Sequence, residues 1–166
     1  QLGDLGINIG VLKCQNSEIA YQQYAAAGLN ILGEITLDPN GNKHFFLKDI
    51  YNNIWEIKEH SEVFKKEKAV NGGVFGSIIG VSSIEESLVV YRDILGYNEV
   101  VYDQTGIFND YKSIPGGDKE FRRVLLRHSD IKHGAFSPLF GKSEIELIQV
   151  LNRKSRDIYE GRIWGD

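Results

Sequence analysis

The 166-residue sequence contains no methionine, a single cysteine and only two tryptophans. Without methionine, Gln1 cannot be a translation start. The chain therefore reads as a piece of a longer protein, with a cleaved signal peptide as the other explanation. One cysteine, Cys14, excludes an internal disulfide framework and suits a reducing, cytoplasmic compartment. No apolar run approaches the ~20 residues that a membrane-spanning helix needs, and no signal-peptide pattern is visible. Basic charge is also short: 19 Lys and Arg face 23 Asp and Glu, a net charge of -4. That excludes a sequence-independent nucleic-acid binder, which needs a basic face for phosphates. A short basic run such as Lys65-Lys66 is broken by Glu62 and Glu67 and reads as solvated linker.

What the sequence does contain is a repeat. From Ile7 to Asn30 it runs apolar strand, Asn16, helical stretch with Tyr24, Gly28, Leu29-Asn30. From Ile78 to Asn98 it runs apolar strand, Ser83, helical stretch with Tyr91, Gly96, Tyr97-Asn98. Ser83 to Glu86 has capping-box spacing, and Ile84, Leu88, Tyr91 and Leu95 fall on one helical face. Gly28 and Gly96 supply the left-handed stop. Strand signals follow each helix. In the first unit they are 31–37, 44–48 and 54–59, with turn chemistry at Asp38 to Asn42 and at Asp49 to Asn53. In the second they are 99–102, 121–128 and 145–151, with a long polar segment containing Pro115-Gly116-Gly117. The expected organisation is α+β, two tandem βαβββ modules whose curved mixed sheets enclose a shared cleft. The first module covers 1–59, a linker 60–73, the second module 74–152, and a tail 153–166 continues into the parent chain.

Val81 to Leu88 followed by Tyr91 to Tyr97 resembles the opening of a vicinal-oxygen-chelate module, the family of glyoxalases, bleomycin-resistance proteins and extradiol dioxygenases. Phe45 to Ile57 resembles the closing hairpin of such a module, written DPxGNxxE. Asp49, Asn53 and Glu56 match it, Ile50 replaces its proline, and Asn52 its glycine. Asn tolerates the left-handed backbone that this glycine position requires. The resemblance runs from about Ile7 to Leu151 and implies a glyoxalase-like fold. It also implies a divalent metal (Fe, Ni, Zn or Mn), with His ligands on first strands and Glu ligands on last strands. Open positions on such a metal would chelate two adjacent substrate oxygens. Glu56 and Glu146 hold the last-strand positions. The first-strand positions align with Ile9 and Gly76, which offer no side-chain ligand.

Strand alternation places Glu56 with Ile54 and Lys58 on one face, and Glu146 with Glu144 and Ile148. Two carboxylates at i and i+2 repel, which favours a proton on one of them if both are buried. His44 shares a face with Phe46 and Lys48; it is a candidate ligand or base, or a hydrogen-bonded structural histidine. His128 and His133 flank a turn and read as surface residues. Arg123, Leu125 and Arg127 share a face, where two guanidiniums would attract an anionic substrate if that face lines the cleft. Cys14, alternating with Leu12, reads as core.

Three functions compete. The first is a metal-dependent lyase or ring-cleaving dioxygenase acting on a small molecule with vicinal oxygens, completed by further modules of the parent chain. The second is a metal-free module binding an aromatic or planar ligand, for which eight Tyr, eight Phe and two Trp supply stacking surface. The third is a structural module that assembles a homodimer or a multi-module chain.

Overall fold

The structure is a computed structural model describing residues 1–62, 69–130, 134–137, 142–158 and 160–161. His133 and the Lys65-Lys66 run lie outside these residues. In chain order the elements are β1 (Gly6–Cys14), α1 (Ser17–Ala26), β2 (Asn30–Leu37), β3 (Lys43–Lys48), β4 (Ile54–Glu59), β5 (Asn71–Gly80), α2 (Ile84–Leu88), β6 (Glu99–Gly106), β7 (Phe121–Arg127) and β8 (Glu144–Val150). The βαβββ unit thus occurs twice. All eight strands join in one curled sheet, ordered β2-β3-β4-β1-β5-β8-β7-β6. The two halves meet where β1 and β5 pair antiparallel, while β1–β4 and β5–β8 are parallel.

Local chemistry explains the elements. The Asn16 side chain accepts from Ile19 N at 2.8 Å and starts α1; the Ser83 hydroxyl accepts from Glu86 N and starts α2. Each helix ends at a positive-φ glycine, Gly28 (φ 74°) or Gly96 (φ 77°), with the chain folding back through Leu29 N to Tyr24 O or Tyr97 N to Tyr91 O. The second closure spans one residue more, because α2 continues as a π-helical turn, Val89–Ile94. That turn shifts the helical phase. Ile84, Leu88 and Tyr91 pack on Val124, Leu126 and Leu147 as the periodicity predicts, but Leu95 is turned outward. Full burial of a side chain such as Ile84 stabilises by about 1.5–3 kcal/mol.

Two strands exceed their expected limits. β5 begins at Asn71, inside the Gly-rich stretch read as linker, and pairs Asn71 with Cys14 and Val74 with Leu12 through register shifts. β6 continues to Gly106, where the polar side chain of Asp103 turns outward to pair with Arg122 of β7 at 2.9 Å. The β3–β4 turn is held by Asp49, whose carboxylate accepts from the backbone N–H groups of Tyr51 and Asn53. Asn52 sits at φ 70°, the left-handed angle its position demands.

The helices cover the convex face: α1 over Cys14, Phe45 and Ile57, and α2 over Val124 and Leu147. The concave face is filled as well. Ile9, Val11, Phe46, Phe75, Ile78, Phe121 and Ile148 meet there, capped by Tyr111 and Ile114 from the β6–β7 connection. Among the described residues no helix is long and apolar enough to cross a membrane.

Candidate functional site

Strand alternation sends His44, Glu56, Lys58, Arg123, Arg127, Glu144 and Glu146 to the concave side, together with the apolar residues that fill it. The faces read from sequence are the observed ones. What sequence spacing did not reveal is that these groups pair with one another.

Two buried ion networks result. In the first, His44 Nδ1 lies 2.7 Å from Glu56 Oε1, and His44 Nε2 lies 3.6 Å from Asp110 Oδ2. The same Asp110 oxygen accepts from Arg123 Nη1 at 2.7 Å, and Arg123 Nε donates to Glu146 Oε1 at 2.5 Å. The line Glu56–His44–Asp110–Arg123–Glu146 therefore runs from β4 and β3 to β7 and β8 through a short 3₁₀ turn, Asn109–Tyr111. All five side chains are at most 6% exposed. The Arg123 guanidinium also lies 3.7 Å from the centroid of the Tyr111 ring and 4.6 Å from that of Phe108.

In the second network, Lys58 Nζ reaches Asp38 Oδ2 at 3.0 Å and Glu144 Oε2 at 2.9 Å, and Glu144 also pairs with Arg127. Asp38 is held in its turn by Asn40 N, Asn42 N and the Asn42 amide. The adjacent carboxylates of β8 are thus each matched by an arginine of β7, which offsets the repulsion their spacing implies.

The electrostatics follow from this pairing. Burial pushes the Glu56 carboxyl up, but the hydrogen bond and charge of His44 and the charge of Lys58 outweigh it and hold Glu56 below the usual carboxylate range. Burial disfavours the Arg123 charge; Glu146 and the groups around it more than restore it, so Arg123 stays cationic. Lys58 is held above its ordinary value in the same way, by Glu56, Glu144 and Asp38 against the cost of burial. Two buried polar atoms in and beside the first network, His44 Nε2 and the Tyr111 hydroxyl, have no hydrogen-bond partner among the described residues.

The donor set does not fit the divalent metal that the resemblance implies. Glu56 is taken up by His44, and Glu146 by Arg123. The first-strand positions are closed to ligands: Ile9 is buried in the core, and a Cβ on Gly76 would sit 2.1 Å from the Glu144 carbonyl oxygen. Among the described residues no group of three or more His, Cys, Asp or Glu side chains is arranged to hold a metal ion. The other histidines stand apart. His128 Nδ1 contacts the Gly96 carbonyl at 2.6 Å and its ring lies against Tyr97, while His60 packs on Phe75.

One part of the concave face stays open. A cavity of about 470 Å³ lies at the β1–β4 end, with Ile9, Ile54, Ile114 and Leu2 as apolar walls and Asn8, Lys48, Asn52 and Asn53 among its polar residues. Trp55 borders it only at the sheet edge, because its ring lies on the α1 side of the sheet and packs against the Cys14, Phe45 and Ile57 cluster. Its ring lies over Gly10, where an added Cβ would come within 2.6 Å, and its Nε1 donates to Asp49 at 3.1 Å.

No family model matches the sequence, and no curated protein matches it significantly. Solved structures do match. Glyoxalase I from Zea mays superimposes with a TM-score of 0.57 at 14% identity, covering 92% of this chain and 45% of that one. A candidate dioxygenase from Bacillus subtilis superimposes with a TM-score of 0.58 at 11% identity, covering 92% and 43%. This is the vicinal-oxygen-chelate fold. At such identities the likeness is one of fold alone, and the chain spans a little under half the length of these two proteins.

Proposed function

We propose that the chain is a small-molecule-binding module of vicinal-oxygen-chelate fold that works without a metal of its own. The observation that carries this is the division of the concave face. Its interior is closed by apolar packing and self-neutralised ion pairs, while the β1–β4 end keeps a cavity of a size suited to one small ligand. Apolar walls, an aromatic flank at Trp55 and the ammonium of Lys48 suit a planar, partly apolar anion. Lys48 makes no ion pair among the described residues, so its charge is available to such a ligand.

The span supports a second element of the reading: the chain is one pair of modules in a longer protein. Any lyase or ring-cleaving activity then belongs to the parent, with ligands supplied by other modules. Metal-dependent turnover within this chain is the reading that the donor set favours least.

The test is a fluorescence titration with 1-anilinonaphthalene-8-sulfonate, a planar aromatic anion, in a Trp164→Phe variant so that Trp55 alone reports. Saturable binding at one site, weakened about tenfold by Lys48→Ala, is expected for a single charged contact. Ile54→Trp, which fills the cavity, should abolish it. Binding that ignores both substitutions, or no binding by this probe and a set of smaller aromatic carboxylates, would overturn the proposal.

A further inference from the structure

The two modules can be compared position by position, because each helix closes through a glycine turn and is followed by three strands. Leu29, the residue after Gly28, corresponds to Tyr97, the residue after Gly96. Asp49, the residue after β3, corresponds to His128, the residue after β7. In the second module Tyr97 and His128 stack, with ring centroids 4.0 Å apart. Tyr97 packs on the Val81, Val124 and Leu147 cluster beneath α2, and its hydroxyl shares a hydrogen bond of 2.8 Å with the Ser143 hydroxyl. This aromatic pair fills the convex face beside the end of the helix.

The first module has no such pair. Leu29 is 45% exposed, and Asp49 turns into its own hairpin, accepting from Tyr51 N, Asn53 N and Trp55 Nε1. A cavity of about 540 Å³ remains there, floored by Leu12, Leu47 and Trp55 and bordered by Asn30 and Asn71. It lies on the α1 side of the sheet, opposite the concave cavity. We infer that it is a second ligand site, and that it takes a neutral aromatic ring system carrying a hydroxyl group. That is the chemistry with which Tyr97 and His128 fill the corresponding volume from within the second module. The volume lies in the range of small-molecule sites. Apolar and aromatic side chains form the floor, which suits a flat ring. Lys48 and Asp49 are the charged residues that line it, and their charges cancel, which selects against a charged ligand. Asn71 accepts from the Tyr24 hydroxyl, and its amide N–H groups can still donate to a ligand hydroxyl. The inference concerns a different face from the ligand site proposed above and does not rest on it.

The experiment titrates 2-naphthol, a neutral hydroxylated two-ring arene, into the wild type, Leu29→Tyr, Leu12→Phe and Ile54→Trp, followed by calorimetry. The wild type should bind one equivalent with a Kd of about 0.1–1 mM, in keeping with a ligand of about eleven non-hydrogen atoms. Leu29→Tyr puts the second module's ring into the first and should weaken binding at least about tenfold. Leu12→Phe, which fills the cavity from its floor, should do the same. Ile54→Trp alters the opposite face and should leave 2-naphthol binding unchanged, just as Leu29→Tyr should leave binding of the anionic naphthalene probe unchanged. No saturable uptake by the wild type would overturn the inference, as would uptake that Leu29→Tyr and Leu12→Phe leave intact. Uptake lost only in Ile54→Trp would put the ring in the concave cavity, overturning this inference and leaving the proposal above standing. A wild type that dimerises, becomes monomeric as Leu29→Tyr and takes up no 2-naphthol would give the cavity to a second copy of the chain and overturn the inference as well.

Discussion

Lys58→Met removes a buried ammonium while keeping most of the aliphatic stem. In the wild type that ammonium joins Asp38 of the first half to Glu144 of the second, at 3.0 and 2.9 Å, and its side chain is 5% exposed. Breaking a buried pair from one side costs about 3–5 kcal/mol, because the remaining charge stays buried without its partner. Here the remaining carboxylates keep some support. Asp38 still accepts from Asn40 and Asn42, and Glu144 still pairs with Arg127. The loss should therefore lie near the low end, about 3 kcal/mol. With a urea slope of roughly 2 kcal/mol per molar, the unfolding midpoint should fall by roughly 1.5 M with the slope unchanged. Adding Glu144→Gln in the Lys58→Met background should recover part of this, and a double-mutant cycle isolates the pair. A loss below about 1 kcal/mol would put the contact in the class of exposed pairs and refute the claim that it is dry.

Asp4 gives a pH prediction. Burial raises its carboxyl, but the hydrogen bonds and charge of Arg153 and the Arg156 backbone N–H outweigh that and lower it from 3.8 to about 2. A folded value below the unfolded one stabilises above pH ~4, and that stability is lost as pH falls toward 2, so Asp4→Asn should cost about 2 kcal/mol at neutral pH. The difference between the two proteins should vanish below pH 2, and a pH-independent gap in urea midpoints would contradict it. Burial, reinforced by the charge of Glu59, pushes the Cys14 thiol up to about 12. Native protein at pH 8 should thus react with a thiol reagent only as fast as it opens, and a stoichiometric burst without denaturant would show that the α1 side of the sheet is not closed.

The repeat, both caps, both glycine stops and the residues that share a face on β3, β4, β7 and β8 were legible because each is local, while spacing alone leaves open the inward direction of the Arg123 and Arg127 face. Periodicity fixes a face, and a turn residue fixes a register. The Asp49 turn places Phe46 opposite Glu56 and His44 opposite Lys58, so the His44–Glu56 contact is a diagonal one across that hairpin. The pairing partners from the other half were not legible. Asp110 comes from a connection with no periodicity, and the contact between Lys58 and Glu144 depends on how the two halves close. The outward turn of Leu95 escaped for a different reason: a π-helical turn changes the phase on which the face was counted.

Metal titration of the untagged wild type beside Glu56→Gln tests the central claim most directly, with Fe(II), Ni(II), Zn(II) and Mn(II) followed by calorimetry after chelator treatment. A cleft closed by its own ion pairs predicts no stoichiometric uptake by either protein. Tight uptake of one ion per chain by the wild type, lost in Glu56→Gln, would contradict it and show that His44 and Glu56 part to bind a metal.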